Sequence, residues 1–250
     1  MPALMLGVDR RRCHNSAMNI LALETATESC SVALLRGDDL FERSEIAPRR
    51  HAELALPMAD AVLGEAGLTR ADLHGIAVGR GPGSFTGVRL AVSMAQGLAL
   101  ALDLPVVTVS SLAALALEAP HDGAPVVALI DARMGEIYVA TFERGEGGEL
   151  TLVGEETVCT PERWQPDIDL TSCHVVGTGW GTYGDALAEK WGAPRSAEAE
   201  CYPQARHVAR QAALRFAAGD TLAPEQALPV YLRDKVALTI AERAEAKAKA

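Results

Sequence analysis

The sequence predicts an α/β protein of two lobes facing each other across a cleft, and three observations carry that prediction. The stretches "NILALETATESCSVALLRGDDLFERSE" and "PVVALIDARMGEIYVATFERGEGGELTLVGEE" share one pattern: a buried apolar strand, an acidic residue at its end, a second strand, a tight turn and a third strand. Each is followed by a strand, a glycine-rich turn and a helix, in "GIAVGRGPGSFTGVRLAVSMAQGLALAL" and again in "HVVGTGWGTYGDALAEKW". Identity between the halves is slight, so what repeats is architecture. The composition is the third observation: 49% apolar and 22% charged residues describe a globular chain, and only 4% aromatics imply a core that relies on close backbone approach.

The elements follow in order. Residues 1–18 place a short apolar run ahead of Arg10-Arg11-Arg12, the reverse of a signal peptide, and are expected to be a non-native or disordered extension with Met18 as the natural start. Residues 19–122 form the first lobe and 123–240 the second. Residues 51–66 carry Leu54, Met58, Ala61, Val62 and Glu65 at helical spacing and stop at Gly67, with Pro57 predicting a kink or a late start. Residues 85–102 are apolar on more than one face, with Ser93, Gly97 and Ala101 at intervals of four. Such a stripe lets another backbone come close, and on a helix apolar nearly all round it suggests two neighbours, one of them in another chain. Ser110 or Ser111 caps the next helix, which Pro120 ends. A last helix spans 204–218 ahead of Gly219 and is able to pack back on the first lobe. Residues 241–250, "AERAEAKAKA", lack an apolar stripe and read as a flexible tail.

Charge and cysteine usage narrow the class of partner. The net charge is −10, from 33 acidic and 23 basic residues, and the basic runs are short: Arg10-Arg11-Arg12 and Arg49-Arg50. That balance argues against a chain that grips nucleic acid alone, because phosphate contacts need clustered Lys and Arg. Five scattered cysteines, Cys13, Cys30, Cys159, Cys173 and Cys201, contain no CxxC pair, so neither a disulfide framework nor a zinc site is indicated and a reducing, cytoplasmic compartment fits. No apolar run approaches the roughly 20 residues of a membrane span, and no membrane partner is expected.

The stretch "GRGPGSFTGVRLA", residues 79–91, looks like a phosphate loop without its lysine. A Walker A loop needs Gly-Lys-Ser/Thr, but Thr86-Gly87 is followed by Val88 and Arg89. A nucleophile elbow fails as well, since Ser84 has Pro82 and Thr86 where glycines belong. What survives is a weak anion turn of Gly81, Gly83, Ser84 and Thr86 at a helix start, and such glycines serve a purely structural turn equally well. The six histidines include no HxxxH or HExxH pair, so no metal ligands are named. Glu24, Asp131 and Glu136 sit on comparable turns of the two halves, which leaves paired carboxylates open. In actin-like ATPases an Asp and a Gly-rich turn at these places hold phosphates. Here Glu24-Thr25-Ala26-Thr27 and Asp131-Ala132-Arg133-Met134-Gly135 would crowd a phosphate that wants bare backbone.

Taken together, "ILALETATESCSVALL", "GRGPGSFTGVRLAVSMAQGLALAL", "DARMGEIYVATF", "VVGTGWGTYG" and "PVYLRDKVALT" resemble the TsaB (YeaZ) family over residues 19–239. The resemblance implies the actin-like (ASKHA, ribonuclease H-like) duplicated two-lobe fold. It implies a part in forming N6-threonylcarbamoyladenosine, next to the anticodon of tRNA, as a non-catalytic subunit without cofactor. Catalysis then belongs to the paralogue TsaD, with the ATPase TsaE joining the complex, tRNA met only through the complex, and a homodimer formed when the chain is alone. The family's partner contacts map onto residues 51–66 and 85–102, with Leu54, Met58, Val88, Val92 and Ala95 as the expected interface. Two other readings compete: a nucleotide-dependent phosphotransferase or ATPase using the cleft, and a metallopeptidase, for which no ligands are present.

Overall fold

The computed structural model describes residues 18–233. The expected extension up to residue 17, the motif residues 234–239 and the tail 241–250 lie outside the described residues.

Two five-stranded sheets form the lobes. In the first, β1 (Asn19–Glu24), β2 (Ser29–Arg36) and β3 (Asp39–Ile46) make an antiparallel meander. The chain then crosses through α1 (His51–Glu65) to β4 (Gly75–Gly79), parallel to β1, and through α2 (Phe85–Leu102) to β5 (Val106–Val109), parallel to β4. After α3 (Ser111–Ala116) the second lobe repeats the plan. It comprises β6 (Val126–Arg133), β7 (Glu136–Arg144), β8 (Leu150–Cys159), β9 (His174–Val176), α4 (Thr178–Trp191), β10 (Ser196–Glu198) and α5 (Ala205–Ala217). The strand orders, β3-β2-β1-β4-β5 and β8-β7-β6-β9-β10, are one topology used twice, the actin-like duplicated fold.

Burial explains the strand sequences. All six residues of "NILALE" are buried because β1 is central and covered on both faces. Leu21 and Leu23 point to the side of α1 and α2, where Val62, Leu63, Ala91, Val92 and Ala95 meet them. Ile20 and Ala22 point the other way, to Val208, Ala209, Ala212 and Phe216 of α5. A Cβ at Gly75 would run into the Phe216 ring, so glycine there admits the aromatic. On the second sheet, α3 covers one face through Leu112 and Leu115, and α4 with Trp164 covers the other. Each lobe thus lends a helix to its neighbour: α3 follows the first sheet but packs on β6 and β7, and α5 follows the second but packs on β1 and β2.

Some local expectations shift. α1 starts at His51 and runs through Pro57, so the late start does not occur; Pro57 and Glu53, whose carbonyl loses its donor, are both exposed. Ser110 caps α3 by accepting from Leu112 and Ala113 N–H, and the helix ends at Ala116, short of Pro120. α2 is long and apolar enough by composition to cross a membrane, yet it serves as the crossover between two parallel strands and packs on β4 and β1.

Polar links hold the lobes together. Arg206 of α5 pairs with Glu42 of β3 at 3.0 Å and with Glu118, which His207 also contacts. A segment after α5 returns across both lobes. Val230 N–H donates to Arg80 O at 2.9 Å, Gln96 Nε2 donates to Ala227 O at 3.0 Å, and Arg233 donates to Ala132 O while pairing with Glu136.

Candidate functional site

The glycine-rich turn between β4 and α2 is filled by the protein itself. Ser84 N–H donates to Ala26 O at 2.7 Å, Gly87 N–H points to Ser84 Oγ at 3.4 Å, and Thr25 Oγ1 donates to Gly87 O at 2.7 Å. A Cβ at Gly83 would overlap Ala26, and one at Gly87 would overlap the Thr25 carbonyl oxygen. These glycines therefore seat the start of α2 directly on the β1–β2 turn. Gly81 is left-handed at φ 87° and Thr86 is exposed, so the four expected anion-turn residues do not converge on a common ligand. The expected anion turn thus serves first as a backbone-packing turn: Ser84 N–H is spent inside the fold and Gly81 is buried, while the N–H groups of Gly83, Phe85 and Thr86 take no acceptor among the described residues.

Gly79 makes room for Glu24. A Cβ there would collide with the Glu24 carboxyl, which is fully buried. Glu24 Oε1 accepts from Ala26 N–H and Oε2 from Ser111 Oγ, both at 2.7 Å, so the side chain ties the β1–β2 turn to the start of α3. Burial pushes this carboxyl up to about 7, against hydrogen bonds from Ser111, Ala26 and Thr25 that pull it down. Asp131 is engaged as well, accepting from Arg133 N–H at 2.8 Å and pairing with the Arg133 guanidinium at 3.1 Å. Arg133 reaches across to Glu28 of the other lobe. Glu136 is held by Arg233. The three candidate carboxylates are thus separate structural anchors rather than an acid–base pair.

Between the lobes lies a cleft of about 380 Å³, lined by the β1–β2 turn, the starts of α1 and α2, β6, Arg133 and the returning segment at Val230, Tyr231 and Arg233. At its mouth the Arg89 guanidinium lies 3.7 Å from the Phe85 ring centre, and Arg89 Nε donates to Tyr231 Oη at 2.6 Å. Among the described residues no three His, Cys, Asp or Glu side chains stand together as a metal site. His74, His174 and His207 have structural partners in Asn19, Asp122 with Ser196, and Glu118. Burial pushes the Cys30 thiol up to about 11 and that of Cys201 to about 12, which makes both poor nucleophiles.

The outer face of the first lobe is the other distinctive surface. Ser93, Gly97 and Ala101 are exposed, and a Cβ at Gly97 would meet nothing within 4 Å. Leu100 beside them is 63% exposed, and Leu56 of the neighbouring α1 is also exposed. The opposite side of α2 is the core. Of the five expected interface residues, Val88 and Val92 are 2% exposed and Ala95 0%, so they face inward and cannot meet a partner. Leu54 and Met58 are half-buried against the same core. The expected set is therefore corrected: the exposed residues of the two helices include Ser93, Gly97, Leu100 and Ala101 on α2 and Leu56 on α1, none of them covered by the described residues.

Comparison with known proteins follows the same lines. A family model described as TsaD, tRNA N6-adenosine threonylcarbamoyltransferase, matches residues 44–239. The tRNA threonylcarbamoyladenosine biosynthesis protein TsaB of Escherichia coli (strain K12) is 42% identical over 226 residues, which cover 88% of this chain and 96% of that protein. The protein of the same name from Haemophilus influenzae is 37% identical over 228 residues, covering 88% and 95%. The chain belongs to the TsaB family. The structure named YeaZ from Pseudomonas aeruginosa superposes with a TM-score of 0.80 at 43% identity, covering 86% of this chain and 100% of that one.

As a TsaB-family chain, the protein keeps the actin-like frame while its first hairpin and glycine turn close on each other. Sequence reasoning missed the Glu24–Ser111 bond and the Arg89–Phe85–Tyr231 cluster. Both join residues far apart in the chain, 87 positions for the first and 142 for Arg89 and Tyr231, and no local pattern announces such pairs. The outward face of α2 did have a signal in the four-residue spacing of Ser93, Gly97 and Ala101.

Proposed function

We propose that this chain is a non-catalytic docking and activating subunit for threonylcarbamoyl transfer to tRNA, acting in the cytoplasm. The single observation that carries this reading is the second face of α2: an exposed small-residue stripe flanked by Leu100, on a helix whose other face is already core. Small exposed residues let another backbone come close, and Leu100 beside them offers an apolar contact, which together suit an association surface. The names of the relatives point to the same pathway. In this reading the stripe seats TsaD, TsaE joins the pair, and the same surface closes a homodimer when TsaD is absent. The net charge of −10 supports tRNA contact through the complex rather than through this chain.

The filled glycine turn and the engaged carboxylates support the absence of phosphoryl transfer. Calorimetry with ATP and Mg²⁺ on the isolated chain tests this directly. Negligible heat and no turnover are expected; tight binding with ATP hydrolysis would replace the docking reading with an ATPase. Size-exclusion chromatography with purified TsaD tests docking, and separate elution of the two chains at micromolar concentration would refute it.

A further inference from the structure

We propose that the inter-lobe cleft is a binding site for a small organic oxyanion, a carboxylate or phosphate carried on an apolar body, held at the first turn of α1 by Arg49 and His51. The proposal does not rest on the docking role and concerns a different face of the molecule.

Three observations converge. His51 is only 9% exposed and lines the cleft, yet its Nε2 is buried without a partner among the described residues. Buried polar atoms in folded proteins are almost always partnered, so the lone nitrogen of an imidazole that lines a cleft calls for a partner atom. Second, α1 spans 15 residues, and its cap residue Arg50 makes no side-chain capping bond. Glu53 and Leu54 N–H both turn to Arg50 O, whereas the N–H groups of His51 and Ala52 take no acceptor among the described residues. Open donors in the first turn of a long helix, at the positive end of its dipole, suit an anion.

Third, one guanidinium in the cleft lining makes no ion pair among the described residues. Glu28 and Asp131 are both engaged by Arg133, and Arg233 is engaged by Glu136 and Ala132 O. Arg49 also lines the cleft and has no acidic partner among the described residues. The acidic residue of the first helical turn, Glu53, is not in the lining and stands 3.7 Å from Arg50. The remaining walls include apolar Val88, Ile130 and Val230 beside the hydroxyls of Thr27 and Ser84, and the volume of about 380 Å³ is at the small end of ligand sites. A free inorganic anion would leave those walls unused. Gly83 and Ser84 of the glycine turn also line the cleft, but Ser84 N–H is spent on Ala26 O inside the fold.

The test uses the full chain and three probes: phenyl phosphate, benzoate and inorganic phosphate, followed by calorimetry and by NMR of the histidine side chains. Saturable binding of at least one aromatic anion is expected, tighter than inorganic phosphate, with the His51 ring signals moving on titration. Whichever of phenyl phosphate and benzoate binds more tightly identifies the anionic group. Arg49→Ala changes an exposed side chain and should leave the melting temperature unchanged while weakening binding at least tenfold; His51→Ala should do the same to binding. Absence of saturable binding by both aromatic anions would overturn the proposal. So would an Arg49→Ala chain that binds as tightly as the unchanged protein, or inorganic phosphate binding as well as the tighter of the two aromatic anions.

Discussion

Replacing Gly97 by arginine separates the proposed docking surface from the fold. Nothing lies within 4 Å of the Cβ that the substitution adds, so the side chain enters open space and displaces no core atom. Glycine in mid-helix costs about 0.5–1 kcal/mol relative to a good helix former, so the isolated chain should become slightly more stable. At the proposed interface the same change puts a long cation where two backbones would approach, and burying it unpaired costs about 3 kcal/mol or more. At 1.4 kcal/mol per decade, that weakens association roughly a hundredfold. The paired control is Ala95→Arg, one face away on the same helix. Ala95 is 0% exposed in the core of the first lobe, so arginine there should unfold the lobe at a cost above about 4 kcal/mol. Thermal melts and surface plasmon resonance against immobilised TsaD read the two quantities separately. The reasoning fails if Gly97→Arg binds normally, or if Ala95→Arg keeps its melting temperature.

Other predictions bear on the anchors. Gly87→Ala forces a Cβ into the Thr25 carbonyl oxygen, and with backbone on both sides the start of α2 must shift. A loss of about 1–3 kcal/mol in chemical denaturation is expected, and an unchanged midpoint would show that the turn is not tightly seated. The Glu24 carboxyl ionises at about 7 in the fold against an ordinary 4.5, so between those values the folded state holds more protons than the unfolded one and stability falls as pH rises. Above pH 7 the accumulated cost is about 3 kcal/mol, and Glu24→Gln should abolish that slope between pH 4.5 and 7; a variant with the parental pH dependence would assign the slope elsewhere. Arg206→Ala strips a half-buried Glu118 and Glu42 of their cation, and a loss of about 2–4 kcal/mol should appear in urea titration.

Regular patterns were legible in the sequence, and long-range ones were not. The apolar runs of β1 and β6, the four-residue stripe on α2 and the glycine after α5 follow from period and local backbone demand, and they located the elements within a residue or two. The side of α2 that faces the core did not follow. Its apolar residues occupy both sides, so Val92 and Leu100 look alike in the sequence while one is 2% and the other 63% exposed. The role of Gly79 was hidden for a different reason, since it depends on Glu24, which lies 55 residues earlier and reaches it only through the parallel pairing of β1 with β4. The nitrogen of His51, without a partner among the described residues, likewise has no signature in the sequence.

Reconstituted threonylcarbamoylation of tRNA tests the central claim most directly. TsaD and TsaE with the activated threonylcarbamoyl donor should modify tRNA only when this chain is added. The Gly97→Arg chain should fail to restore activity at concentrations where the unchanged chain saturates it. Full modification without the chain, or full restoration by Gly97→Arg, would contradict the account.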